Sequence, residues 1–496
     1  MANNGVLEDR NGVPVYGNYI NGEWKPGSGG ETFENRNPAR TSELIGYFQS
    51  GTGEDARAAI AAASDAARAW AETSAITRAN ILYKASEILA ARANDVGRDL
   101  TREEGKTLKE GIGETNRAVQ ILRYFAGEAQ QPSGEHYPSA NPTTILYTMR
   151  EPLGAVGIIT PWNFPIAIPA WKIAPALAFG NTVVFKPATA TPLCAVHLVA
   201  ALAEAGVPAG VLNLVTGSAG AVGDPIVQDD RIAAISFTGS NQVGMEIKQV
   251  ASARGAKVQL EMGGKNPAIV LADADMDQAI TQVINGAMMS TGQKCTATSR
   301  AIVDRKIASE ITERLAARIS NLKVGDPLAE TTNIGPLIDE KAAARVAGEV
   351  DRAKGEGGSL VTGGDRPEEL ADGSFVTPAL FSNVDPSSRL GQEEMFGPVL
   401  GVIPVDGVEE AIDIANKVRY GLSASIFTRD LGHAMEFIRK IHAGIVHINS
   451  ETAGAEPHVP FGGYKGSSSY SREQGKSARE FYTQVKTVYL DPPPGT

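Results

Sequence analysis

Cysteine is almost missing from this chain: Cys194 and Cys295 are the two thiols in 496 residues. Two thiols cannot build a disulfide framework for a protein of this size, and a reducing compartment suits them better. Histidine is scarce as well, and His136, His197, His433, His442, His447 and His458 show no metal-ligand spacing, so no metal site is expected. Long runs of one charge are absent; the net charge of −11 is spread along the sequence, which argues against nucleic acid or an anionic membrane as the main partner. The start, Met1-Ala2-Asn3-Asn4-Gly5, lacks the basic residues and apolar stretch of a signal peptide, and a cytoplasmic location is expected. One uncharged stretch, residues 152–171, is long enough to raise the question of a membrane span, but Pro152, Pro161, Pro165 and Pro169 interrupt it. A buried strand followed by a loop is the better reading. No internal repeat or low-complexity tract occurs, and residues 491–496 read as a frayed end.

What is present is enough apolar material for more than one core. A chain of this length exceeds the roughly 250–300 residues at which a single core stops growing, so two or more domains are expected. With 42% hydrophobic and 21% charged residues it should fold throughout. After an irregular opening, residues 53–130 carry Ala, Arg, Glu and Leu at helical spacing. Strand signals follow at 155–159, 182–185, 211–215 and 233–237, separated by helical runs such as 192–205. Strands alternating with helices of that length imply crossovers and a parallel sheet, hence an α/β fold. A second series begins after Asn266, with strands near 268–271, 300–303 and 399–403. Two β-prone pieces, 143–149 and 484–489, lie far apart in sequence.

The chemistry concentrates in two segments. Glu261 sits in Gln259-Leu260-Glu261-Met262-Gly263-Gly264-Lys265-Asn266-Pro267, and Cys295 in Gly292-Gln293-Lys294-Cys295-Thr296. A thiolate adds to carbonyl carbons, and a nearby carboxylate can activate the water that releases the acyl group. Glycines at 263 and 264 would give Glu261 the freedom to move. Cys194, inside the apolar run Leu193-Cys194-Ala195-Val196, reads as a packed structural thiol.

These two segments, with Pro161-Trp162-Asn163-Phe164-Pro165, Phe237-Thr238-Gly239-Ser240, Glu393-Glu394-Met395-Phe396-Gly397-Pro398 and Pro460-Phe461-Gly462-Gly463 in the same order, resemble the aldehyde dehydrogenase superfamily over nearly the whole chain. The resemblance implies a Rossmann-like cofactor domain (1–138 and 155–265), an α/β catalytic domain (266–465), and a small β oligomerisation flap with a tail (139–154 and 466–496). It implies Cys295 as nucleophile, Glu261 as base, Asn163 as an oxyanion donor beside the Cys295 amide, and Lys172 near the cofactor in a proton relay. Members that hand the acyl group to coenzyme A lack the glutamate, so a free acid is the expected product.

No G-x-G-x-x-G fingerprint occurs. The family instead meets the pyrophosphate where a strand runs into a helix, here at Phe237, Thr238, Gly239, Ser240 and Gly244. The resemblance adds Trp162, Lys186 at the adenosine ribose, and Glu394 and Phe396 at the nicotinamide ribose. Many NAD-preferring members carry a glutamate where this chain has Thr189; its absence favours NADP, with NAD as the alternative. A carboxylate there would repel a 2′-phosphate, whereas a hydroxyl can donate to it.

The stretches 448–456 and 466–475 are similar to 2-oxoglutarate semialdehyde (2,5-dioxopentanoate) dehydrogenases within the family. The family's tunnel wall falls on Phe164, Ile168, Trp171, Thr296 and Phe461; an anionic substrate would want a cation at the tunnel mouth, for which Arg123 is a candidate, a plain surface arginine being its favoured reading. Succinate semialdehyde, aliphatic or aromatic aldehydes, a cofactor-free thiol hydrolase and a catalytically silent binding protein are the other readings. The resemblance implies a homodimer or homotetramer.

Overall fold

In the computed structural model residues 5–356 and 358–493 are described. The opening residues 1–4 and the end of the expected frayed tail, 494–496, lie outside the described residues.

The apolar runs form two seven-stranded sheets. In the first the order is Lys257–Glu261, Ile232–Thr238, Ala155–Ile159, Thr182–Lys186, Leu212–Leu214, Asn18–Ile20 and Glu23–Lys25. Its first five strands are mutually parallel. Val183, Val184 and Phe185 are fully buried, as expected of strands covered by helices on both faces. From the central strand Ala155–Ile159 the chain first adds strands on one side, then returns to add Ile232–Thr238 and Lys257–Glu261 on the other. A parallel sheet that reverses its order in this way opens a crevice beyond the carboxyl ends of the two strands at the reversal.

The second sheet runs Ser359–Thr362, Ala379–Ser382, Val399–Val405, Thr298–Asp304, Asn266–Val270, Ser423–Phe427 and Ile445–Ile448. All neighbours are parallel except the first pair. The strand Lys257–Glu261 ends the first sheet and Asn266–Val270 begins the second, so the chain passes through a short link from the carboxyl edge of one to the amino edge of the other.

The two distant β-prone pieces pair directly: Thr483–Leu490 lies antiparallel to Ile145–Pro152, and His136–Tyr137 completes a three-stranded sheet. Thus His136 and Tyr137, expected in the cofactor domain, pair with the flap. Conversely, residues 466–482, expected in the flap and tail, pack on the first sheet. Ala478, Phe481 and Tyr482 share a core with Phe185 and Trp70.

The opening is not irregular. Six strands lie between Val6 and Gln49. Asn11-Gly12 and Asn21-Gly22 have φ of +58°, +84° and +54°, +84°, the positive pair that two-residue hairpin loops require. Those dipeptides were the available signal, since the strands they join, Val6–Arg10 with Val13–Tyr16 and Asn18–Ile20 with Glu23–Lys25, are only three to five residues long.

Asn181 joins the root of the flap to the first sheet. Its side-chain oxygen accepts from the Leu153 and Gly154 amides at 2.7 and 3.2 Å, and its nitrogen donates to the Tyr482 carbonyl at 2.9 Å. Asn181→Ala strips these buried groups of partners at about 1–3 kcal/mol each. A lower midpoint of urea unfolding than wild type is the expected outcome; an unchanged midpoint would show that the side chain is dispensable.

Candidate active site

The facing sheet edges gather the polar residues of both segments. Trp162 and Asn163 follow the strand Ala155–Ile159, Gly239 and Ser240 follow Ile232–Thr238, and Glu261 ends Lys257–Glu261. From the opposite side, Cys295 precedes Thr298–Asp304, and Glu394 with Phe396 precedes Val399–Val405. All stand at or near the gap between the sheets.

Asn163 is buried, and its side-chain nitrogen donates to the Gln293 carbonyl at 3.0 Å, two residues before Cys295. Residues 163–167 are clamped from the helix Leu108–Glu128 and the turn before it. Glu114 accepts from the Ile166 and Ala167 amides, both at 3.1 Å, and pairs with Lys106 at 2.7 Å. Lys106 also donates to the Asn163 carbonyl and lies 3.8 Å over the Phe164 ring. This buried pair was invisible in the sequence, because its value lies in backbone groups of another element.

The loop carrying Cys295 is held as tightly. Ser290 and Thr291 take φ of +55° and +54°, a conformation that costs L residues about 1–2 kcal/mol each. Glu110 offsets part of this by accepting from the Ser290 amide at 2.7 Å. Asn266 donates to the carbonyls of Cys295 and Ala297 at 2.8 and 2.9 Å. Cys295 is half-buried, and its thiol is pushed up to about 12 by burial first, then by Glu394 and Glu261. Cys194 is fully buried in the core, away from this gap.

Glu261 is 2% exposed. One carboxylate oxygen accepts from the Ser468 hydroxyl at 2.5 Å, while the other is buried without a hydrogen-bond partner. Burial, then the neighbouring Glu473, hold its pKa well above the ordinary carboxylate range. Lys172, fully buried, pairs with Glu473 and donates to the Ser236 hydroxyl at 2.9 Å. The two glycines have a role other than the hinge expected for them, since neither has a positive φ. A Cβ on Gly263 would lie 2.2 Å from the Glu394 carboxylate, and one on Gly264 2.5 Å from the Cys295 carbonyl. They are there for close approach.

The first sheet's crevice has the features of a dinucleotide cradle. Ser240 caps the helix Asn241–Ala253, whose free amides open toward the gap between strand and helix. Gly244 lies against the Met262 sulfur, Gly239 against the Phe237 ring, and the buried Thr238 hydroxyl has no partner. Lys186 is buried with one hydrogen bond, to the Pro187 carbonyl at 3.2 Å, and burial lowers its pKa to about 8. Thr189 is exposed in the turn beyond that strand. Glu394 accepts from the Gly264 amide at 2.9 Å and is pushed up to about 7 by burial. Phe396, at φ +50°, meets Trp162 edge-on at 5.4 Å. A helix amino terminus, an underused buried cation and glycines that admit backbone approach fit a phosphorylated dinucleotide.

On the other side of the thiol a cavity of about 1090 Å³ is lined by Cys295, Thr296, Phe164, Trp171 and Phe461. Trp171 and Phe461 are 5.4 Å apart. Two expected wall residues are elsewhere. Ile168 is 1% exposed inside the first core, and Arg123 is exposed, 3.4 Å from the Ser86 hydroxyl. Two cations of that helix line the cavity instead, Lys109 near its start and Arg117 a little over two turns on. Six residues advance a helix by about 1.7 turns, so Arg123 leaves on a different side. Helical spacing from Glu110 and Glu114 was the signal that could have identified Arg117. Among the described residues no cluster of three or more His, Cys, Asp or Glu could hold a metal, and no helix is long and apolar enough to cross a membrane.

Comparison with known proteins matches residues 24–488 to the aldehyde dehydrogenase family. Alpha-ketoglutaric semialdehyde dehydrogenase of Bacillus subtilis is 48% identical over 98% of this chain and 100% of its own length. Alpha-ketoglutarate semialdehyde dehydrogenase of Haloferax volcanii is 45% identical, over 95% and 98%. The structure of betaine aldehyde dehydrogenase from Staphylococcus aureus in complex with NAD+ superposes with a TM-score of 0.94 at 35% identity, over 97% of this chain and 95% of that one.

A thiol raised this far is almost wholly protonated near neutrality. Without cofactor, alkylation of Cys295 by iodoacetamide should therefore climb about tenfold per pH unit between pH 7 and 10. Glu394→Gln, which removes the larger of the two charge effects, should accelerate it at fixed pH. Mass spectrometry of the labelled peptide checks both, and a rate that levels off below pH 8 would contradict the raised pKa.

Proposed function

The chain belongs to the aldehyde dehydrogenase family, and we propose that its substrate is 2-oxoglutarate semialdehyde, oxidised to 2-oxoglutarate with NADP as the preferred cofactor. NAD(P)-dependent oxidation of an aldehyde follows from the family; the substrate, the coenzyme preference and the residue roles are our reading. The observation that carries it is Cys295 at the junction of two spaces, a dinucleotide cradle on one side and a cavity holding Arg117 on the other.

The Cys295 thiol gives up its proton to water, and its sulfur bonds to the aldehyde carbon. Negative charge then grows on the aldehyde oxygen, where the Asn163 amide and the Cys295 N–H donate to it; such a donor contributes about 3–4 kcal/mol. The bound nicotinamide coenzyme supplies the hydride acceptor that turns this adduct into a Cys295 thioester. Glu261 takes a proton from water as its oxygen attacks the thioester carbon, the C–S bond breaks, and the acid leaves. Lys172 and Glu473 lie beside Glu261 and provide a route for that proton.

Residues of the cradle would hold the coenzyme: Ser240 and the amides behind it the pyrophosphate, Lys186 the adenosine ribose, Glu394 and Phe396 the nicotinamide ribose. The exposed Thr189 hydroxyl, with no carboxylate in its place, supports a 2′-phosphate. Arg117 supports the anionic substrate, because its ion-pair partner Glu456 is itself 61% exposed and easily displaced. Lys106 is committed to Glu114, and Lys294 is buried beside Glu451. Residues up to 265, apart from the flap, form the cofactor domain in this reading, and 266–465 the catalytic domain. The exposed Tyr137, Ile145, Met149, Val485 and Tyr489 of the flap support assembly as a homodimer or homotetramer.

Initial rates of NADP and NAD reduction with 2-oxoglutarate semialdehyde, succinate semialdehyde, propanal and benzaldehyde test the substrate. The first should give the highest kcat/KM, and Cys295→Ala should be inactive. Another winning aldehyde would refute the substrate assignment; no reduction with any of them would leave the silent binding protein. Arg117→Met should lower kcat/KM for 2-oxoglutarate semialdehyde about 10- to 100-fold, the equivalent of one charge-assisted hydrogen bond, with propanal little affected. Thr189→Glu should shift the NADP-to-NAD ratio of kcat/KM toward NAD by at least about tenfold.

A further inference from the structure

The three serines of Gly466-Ser467-Ser468-Ser469 have no part in the chemistry so far, yet each hydroxyl makes a buried or half-buried bond. Ser467 accepts from the Gly421 amide at 3.0 Å, which joins the segment to the short strand Tyr420–Gly421 just before Ser423–Phe427 of the second sheet. Ser469 accepts from the Leu260 amide at 3.0 Å. Backbone bonds from Met262 to Ser467 at 2.7 Å and from Ser469 to Leu260 at 2.9 Å hold the segment alongside the end of the strand that carries Glu261. Ser468 lies between them, directly opposite Glu261.

The Ser468 hydroxyl accepts from the Gly463 amide at 2.6 Å. With that acceptor position filled, its single proton goes to Glu261 Oε2 at 2.5 Å. The other oxygen, Oε1, is buried without a partner, and the space beside it is kept open by Gly462, where a Cβ would come within 2.8 Å. A carboxylate anchored by one oxygen and left unsatisfied at the other is arranged to accept one proton from a definite direction. The charged groups around it do not replace the anchor: Lys172 is bonded to Glu473 and Ser236, and Arg472 to the carbonyls of Ser469 and Ser471.

We propose that Ser468 is a positioning residue for deacylation: it fixes Glu261 through Oε2 so that Oε1 receives the proton of the water attacking the Cys295 thioester. The proposal rests on the role assigned to Glu261 above. In that step the water oxygen bonds to the thioester carbon, one water proton moves to Oε1, and the C–S bond breaks to return the Cys295 thiolate. Formation of the thioester does not need the anchor. Ser468→Ala would leave both carboxylate oxygens buried without a donor, so the neutral carboxyl is favoured and the base is lost at higher pH than in wild type.

The test is a single turnover of the full-length enzyme with NADP and 2-oxoglutarate semialdehyde from pH 6 to 9. Absorbance at 340 nm follows thioester formation, and acid quenching follows release of the product. In Ser468→Ala the first phase should stay within about twofold of wild type. Product release should slow about tenfold near pH 7, and its acid limb should move up by about one pH unit. Ser468→Thr, which keeps the hydroxyl, should recover most of the rate; should the alanine variant not fold, Ser468→Gly is measured instead. Release at the wild-type rate with an unmoved limb overturns the proposal, as does equal slowing of both phases, which marks a merely structural serine. A wild-type enzyme whose product release is unaffected by Glu261→Gln overturns the base assignment, and this proposal with it.

Discussion

Everything at this site depends on one topological constraint: the carboxyl edge of one parallel sheet faces the amino edge of another, with the chain crossing directly between them. Strands 257–261 and 266–270 are separated by residues 262–265, so the base and the wall behind the thiol are fixed by a single covalent link. Ligand crevices of open parallel sheets lie outside the carboxyl ends of their strands. The first sheet follows that rule. The second contributes from its amino edge, where Cys295 and Glu394 sit just before their strands. Each sheet alone has half a site.

That closeness has an electrostatic cost which the protein distributes. Glu261, Glu394 and Cys295 share one poorly solvated space, and each is shifted toward its neutral form. A thiol held up in this way is protected from adventitious chemistry while the site waits. Activation then requires a change in its surroundings, and a cationic ring bound next to it is a change of the right sign. Two of the cations nearby are already committed: Lys172 to Glu473, Lys106 to Glu114 and the Asn163 carbonyl. They neutralise the carboxylates that shape the walls, which is what buried charges need in order to stay charged.

The groups proposed to react were legible in the sequence because such chemistry demands particular residue types in ordered motifs. Cys295, Glu261 and Asn163 stand together at the sheet junction, and the strands bearing them are continuous apolar runs. What stayed hidden has a common cause. Ser468 and Glu473 meet Glu261 and Lys172 across more than 200 residues, and no local pattern announces a partner at that distance. Arg123 is the surface arginine that was its favoured reading, and Arg117 went unremarked because charge alone, without helical phase, does not single it out. The opening strands were passed over because segments such as Asn18–Ile20 and Glu23–Lys25 are too short for periodicity, although their Asn-Gly turns were in plain view.

Gly263 and Gly264 illustrate how the same residue can be right for a reason that sequence cannot supply. Conformational freedom was the obvious explanation, yet both have backbone angles any residue adopts. What singles them out is proximity: the Glu394 carboxylate bonds the Gly264 amide, and the Cys295 carbonyl passes over the Gly264 Cα. A side chain at 264 would meet the Cys295 backbone and push the two edges apart, and one at 263 would displace the Glu394 carboxylate. Since the thiol, the base and the cradle are spread over both edges, even a displacement of about 1 Å would misalign them all, and misalignment of that size costs on the order of a hundredfold in rate. Gly264 therefore sets the width of the gap where the Cys295 loop crosses it.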